Sequence, residues 1–180
     1  MPSPIAHSVS GYVIARVFNQ RNSWLPNRRW WYWLSFYSVF IGIAADFDFI
    51  PQIITGEQFH RGITHTLIFA AGFSLCLAWL ISRWQKIQFR QLFLVTLIIY
   101  LSHLVLDWLT AGGNGIQLLA PFSKAYFKSA LPLFPSVHHS KNLLNPIHLK
   151  FITWESIYCM LILISCVFWQ KSSKKNYNKD

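Results

Sequence analysis

The chain has 180 residues, 53% of them hydrophobic and 12% charged, with a formal net charge of +10, whereas a soluble domain carries about 25% charged residues. So few charges cannot cover a water-soluble globule of this length, which places one domain in a bilayer. The Lys and Arg residues sit in short clusters flanking apolar runs, as topology determinants do, which argues against nucleic acid as a partner.

The first element, residues 5–18, mixes small, polar and apolar residues. It is too short for an ordinary span of about 20 residues and reads as a short helix packed among longer ones, with an interfacial helix as the alternative. His7, Ser8, Ser10 and Gly11 interrupt what would be the apolar core of a leader, so no cleaved signal peptide is expected. Four long apolar segments follow, at about 30–50, 66–82, 91–110 and 151–169. Pro51 disfavours helical geometry at Ile50, so the first of these is expected to end there. The fold class is all-α: a polytopic membrane helix bundle with four long transmembrane helices plus a short N-terminal one.

Between the third and fourth long segments, residues 111–150 contain Gly112, Gly113 and Gly115, then Pro121, Pro132, Pro135 and Pro146. That composition speaks against a further span and predicts a cap loop over one membrane face. The tail, residues 171–180, is polar and charged and is expected to be a disordered cytoplasmic anchor. Cys76, Cys159 and Cys166 lie inside apolar stretches without a CxxC pair and predict neither disulfides nor a thiolate metal site.

Orientation follows from the basic clusters. Arg28 and Arg29, then Arg83, Lys86 and Arg90, then Lys171, Lys174, Lys175 and Lys179 all fall on one side if the long segments alternate from inside to outside. Trp30, Trp31, Trp33, Trp84 and Trp169 would mark that cytoplasmic interface, and Trp108 and Trp154 the outer one.

The chain has six acids, and four of them, Asp46, Asp48, Asp107 and Glu155, lie in or at the ends of apolar segments. A charge near the middle of a membrane helix costs roughly 2.5–3.5 kcal/mol on insertion scales, so it needs a partner in the protein interior. In the predicted topology Asp46, Asp48, His60, His65, His103 and Asp107 converge on one depth near the outer face, and His7 joins them if the first segment enters the membrane. His103 and Asp107 are four apart and share a helix face. Asp46 and Asp48 are two apart and come together only if the helix ends nearby. His60 and His65 need a loop-to-helix transition with Thr64 or Thr66 as its cap. Taken singly, each is as readily a packing residue; as a set they suit a divalent metal. Arg61 is expected either to pair with Asp48 or to clamp a substrate oxyanion. Glu155 is either a further ligand or an interfacial residue, and His138, His139 and His148 read as solvated loop residues.

In order along the chain, "PIAHSVSG", "GIAADFDFIP", "FHRGITHT" and "LSHLVLDWLTAGG" resemble the bacterial and archaeal family of membrane-bound metal-dependent hydrolases, also described as LexA-binding inner-membrane proteins. The resemblance covers nearly the whole chain; family members often have Pro where this chain has Ala45. It implies metal ligands at His7, Asp46, Asp48, His60, His65, His103 and Asp107, within one metal-site domain spanning residues 1–170. It implies a multi-pass inner-membrane hydrolase and, more remotely, the zinc-dependent phospholipase C and nuclease fold.

Zinc suits so many histidines, while the mixed carboxylates leave manganese or iron open. The resulting expectation is a metal-activated water attacking an ester or phosphoester, a lipid-derived one included, with Asp48 as general base and Arg61 beside it. A non-catalytic metal-binding or transport protein and a regulatory scaffold with a LexA-type partner are the alternatives.

Overall fold

The computed structural model describes residues 2–22, 25, 28–55, 61–111, 113–135 and 146–177. Helix α1 is Pro4–Asn22, α2 Arg28–Ile43, α3 Phe49–Thr55, α4 Leu67–Gln85, α5 Phe89–Trp108 and α6 Pro146–Tyr177, with short 3-10 segments at Ala44–Asp48 and Ile63–His65. No strand forms among the described residues. Among the described residues four stretches, Trp30–Thr55, Leu67–Gln85, Phe89–Trp108 and Leu149–Ser172, are long and apolar enough to cross a membrane.

Helix α1 is packed among the others, against α2, α5 and α6. Small residues allow this: Gly11 on α1 faces Ser38 on α2, and Gly42 on α2 faces His7 and Ser8 on α1. A Cβ on Gly11 would lie 2.5 Å from the Ser38 carbonyl oxygen, and one on Gly42 would lie 2.6 Å from that of His7. Close backbone approach of this kind supplies the van der Waals contact that holds helices together where lipid removes the hydrophobic difference.

Helix α5 is central, touching α1, α2 and α4 and burying Leu92, Val95, Ile99, Tyr100 and Leu104. Two tyrosines place hydroxyls in this interior and both are satisfied. Tyr37 bonds Thr96 at 2.6 Å, and Tyr100 donates to the Thr64 carbonyl at 2.8 Å. By contrast α4 and α6 are peripheral, with long rows of exposed apolar side chains such as Leu75, Trp79, Met160, Leu161 and Phe168. Helix α6 meets α1 through a Ser10–Tyr158 hydroxyl pair at 2.8 Å and through Glu155, which accepts from the Ser3 main-chain N–H. That bond sets a carboxylate at the N-terminus of α1, where the helix dipole favours it.

Two boundaries differ from expectation. The second helix ends at Ile43 rather than Ile50; a 3-10 segment carries Asp46 and Asp48, and α3 then runs through Pro51. Pro51 is tolerated because it sits in the first turn of α3, where a missing N–H costs nothing. At the other end, α6 continues to Tyr177, so residues 171–177 of the expected disordered tail are helical. Main-chain bonds hold the described part of the expected cap to the helix ends. The Leu67 N–H donates to the Leu118 carbonyl at 2.9 Å, Ala111 to Phe134 at 2.8 Å and Leu133 to Leu109 at 2.8 Å, which seats residues 113–134 on the ends of α4 and α5.

Candidate metal centre

Four separate elements deliver polar side chains to the end of the bundle beneath this cap. Helix α1 brings His7 from its first turn, the 3-10 segment after α2 brings Asp46 and Asp48, the 3-10 turn before α4 brings His65, and α5 brings His103 and Asp107. His7, His65, His103 and Asp107 are each at most 1% exposed. Thr66 caps α4 by accepting from Phe69 N–H at 3.1 Å, which settles the choice of cap residue and frees Thr64 for the site.

The ring nitrogens are sorted by their partners. His103 Nδ1 lies 2.8 Å from the Gly42 carbonyl oxygen; a carbonyl only accepts, so Nδ1 carries the hydrogen and Nε2 presents a lone pair. His65 Nδ1 lies 3.0 Å from Thr64 Oγ1 and 3.2 Å from Asp48 Oδ2. The Thr64 hydroxyl donates to the same Asp48 oxygen at 2.8 Å, as does the Arg61 main-chain N–H at 3.1 Å. His65 Nδ1–H therefore points into the Thr64–Asp48 pair, and its Nε2 also turns a lone pair the other way.

These lone pairs meet carboxylate oxygens. His65 Nε2 is 3.2 Å from Asp107 Oδ2 and 4.0 Å from Asp46 Oδ1. His103 Nε2 is 3.5 Å from Asp46 Oδ1, 3.9 Å from Asp107 Oδ2 and 3.4 Å from His65 Nε2. Ligand atoms about 2.1 Å from one tetrahedral ion stand roughly 3.4 Å apart, so these separations are of the size that sharing an ion requires. His7 stacks on His103 with ring centroids 3.8 Å apart, and its Nε2 is 3.6 Å from Asp107 Oδ1. Among the described residues two sets satisfy the mutual spacing of a metal site, His7 with His103 and Asp107, and Asp46 with His65 and His103.

The fit of a cation rests on the donors left over. Both nitrogens of His7 and both oxygens of Asp107 are buried and make no hydrogen bond among the described residues. Lone pairs facing carboxylate oxygens in a dry interior repel unless a positive charge lies between them. A proton can take that place at His65, just outside the spanning stretch of α4: burial opposes its charge, but Asp107 and Asp48 outweigh burial and raise its pKa to about 9.

The remaining expected residues fall as follows. Asp48 stands on the Nδ1 side of His65, outside both spacing sets. Arg61 meets Asp48 through its main-chain N–H rather than its guanidinium. Glu155 is buried at the α1–α6 contact and joins neither set. His60, His138 and His139 lie outside the described residues, as does the side chain of His148. Sequence reasoning missed Gly42 and Tyr100 and weighed Thr64 only as a helix cap, whereas all three orient the histidines and their loop; the Gly42 signal was its four-residue spacing from Ser38.

A helical bundle with four membrane-crossing stretches and a buried His/Asp cluster under a loop cap defines a multi-pass membrane protein with a possible metal site. The sequence profile of the YdjM inner membrane protein family matches residues 1–177, and the chain belongs to that family. It is 32% identical over 131 residues to the inner membrane protein YbcI of Escherichia coli (strain K12), covering 71% of this chain and 72% of that protein. No solved structure matches the chain. The protein is thus a multi-pass inner-membrane protein.

Proposed function

We propose that the protein is a membrane-embedded, metal-dependent hydrolase acting on an ester or phosphoester. The observation carrying this reading is the convergence of the His65 and His103 Nε2 atoms on the Asp46 and Asp107 oxygens while each Nδ1 is tied elsewhere. Asp46, His65, His103 and Asp107 hold the ion, and His7 supports the set from behind His103 through Asp107. Zinc suits these donors best, with manganese or iron also compatible. When bound, such an ion polarises the scissile group and lowers the pKa of a water.

The chain's own groups prepare the site. Gly42 and Asp48 fix the rings of His103 and His65, the role that outer hydrogen bonds play around metal-bound histidines. Asp48 Oδ2 is already committed to Thr64, Arg61 and His65, so we assign Asp48 to positioning rather than to the ligand or base role expected from sequence. Arg61 is kept as the cation beside the site. The basic Arg83, Lys86 and Arg90 lie at the α4–α5 hairpin, the end of the bundle opposite His65, which supports a site facing the extracytoplasmic side.

Full-length protein purified in detergent, analysed for metal and screened against ester and phosphoester substrates, tests the reading. Stoichiometric metal, lost in the double variant His103→Ala/Asp107→Ala together with hydrolysis, is expected. Unchanged metal in that variant would remove the site.

The near-complete burial of His7, His65, His103 and Asp107 favours a second reading, a closed structural ion without catalysis. Bound metal with no turnover of any substrate would select it. A LexA-type partner rests on the resemblance alone and would have to meet the basic segments at the far end of the helices.

A further inference from the structure

The cap and the turn after α3 bring two cations to one glycine. Arg61 adopts a left-handed backbone, φ 66. In this conformation its N–H reaches Asp48 while its side chain turns to the cap, where a Cβ on Gly113 would lie 2.9 Å from Arg61 Nη1. On the same residue Lys128 Nζ donates to the Gly113 carbonyl at 3.3 Å. Gly113 itself has φ 62, and a side chain there would run into the Arg61 guanidinium.

Nothing acidic balances this pair among the described residues. The ion pairs that Asp46, Asp48 and Asp107 make there are with histidines, and Glu155 is engaged at the other side of α1. Two like charges drawn to one glycine repel in the absence of an anion. A guanidinium fork beside an ammonium matches the oxygens of a phosphoryl group. One carboxylate joins the Arg61 main chain to the cluster: Asp48 Oδ2 is 3.1 Å from the Arg61 N and 3.2 Å from His65 Nδ1.

We propose that Arg61 and Lys128 form a subsite for a phosphoryl anion beside the His/Asp cluster, which makes the substrate of the proposed hydrolase a phosphoester. The substrate assignment rests on the hydrolase reading; the anion site does not. The same cap presents Phe122 at 86% and Leu131 at 81% exposure, and Ile63 beside Arg61 is 78% exposed. Exposed apolar side chains on the same cap suit a phosphate carried on an acyl chain as well as a free one.

The test titrates full-length protein of determined metal content, in detergent micelles, with inorganic phosphate and separately with dihexanoyl phosphatidic acid, by calorimetry. Wild type is expected to bind at least one probe. Arg61→Gln and Lys128→Gln should each weaken binding by about tenfold or more, the scale of one lost hydrogen bond to a charged group. Arg61→Lys should recover part of the loss, with metal content unchanged throughout.

Binding of the lipid alone assigns the phosphate to a headgroup; equal binding of both assigns it to a soluble phosphoester. Lys128 is exposed, so Lys128→Gln keeps the test open even if Arg61→Gln fails to fold. Undiminished binding by Lys128→Gln and by the double variant, or no binding of either probe by wild type, overturns the subsite. Binding without hydrolysis of any phosphoester leaves the subsite and removes the hydrolase reading. Phosphoester hydrolysis by the double variant at wild-type KM does the reverse.

Discussion

Gly42 and His7 touch backbone to backbone: a Cβ on Gly42 would stand 2.6 Å from the His7 carbonyl oxygen, while the Gly42 carbonyl holds His103 Nδ1 at 2.8 Å. One residue without a side chain thus seats the helix that brings one histidine and fixes the tautomer of another. Gly42→Ala should therefore push α1 away from α2 and cost about 1–3 kcal/mol, as overpacking does. Metal content should fall with it. Gly72→Ala is the control, because nothing lies within 4 Å of its added Cβ. Thermal unfolding in detergent with metal analysis compares them, and equal behaviour of the two variants would refute the packing argument.

Asp48→Asn separates an orienting carboxylate from a ligand. The amide keeps the shape but loses the charge facing His65 Nδ1, and loss of such an outer partner typically costs 10–100-fold in metal affinity. The variant should still fill at high metal concentration, whereas Asp107→Asn should not. Competitive chelator titrations of both variants decide it; identical loss would place Asp48 among the ligands.

Protons and metal compete at His65. In the metal-free protein its pKa is raised to about 9, and a metal ligand must be deprotonated. Below that pH each ion bound displaces a proton from the ring, so this group makes apparent affinity rise roughly tenfold per pH unit and level off above about 9. Chelator competition across the range from about pH 6 upward measures the slope. A flat profile would show that His65 takes no part in binding.

Topology is open to a direct check. In a background lacking the native cysteines, Lys124→Cys in the cap should react with an impermeant thiol reagent added to intact cells, and Lys86→Cys in the α4–α5 hairpin should not. The opposite pattern would invert the protein and put the cluster on the cytoplasmic side.

Much of the architecture follows from local sequence. Apolar length is a sum over neighbouring residues, so the four spans were legible, and the four-residue spacing of His103 and Asp107 put both on one face of α5. The end of α2 was misplaced because Pro51 suggested a helix stop, whereas the chain changes to 3-10 geometry before the aspartates and uses that proline to begin α3. Which nitrogen of each histidine faces the cluster could not be read locally. His103 takes its orientation from Gly42, 61 residues away, and meets His65 across 38 residues. The position of His7 depends on the fit of Gly11 and Gly42 between two helices. Tertiary structure decided these features because a ring's tautomer and a carboxylate's role are set by the atoms packed against them, and those atoms come from other elements of the chain.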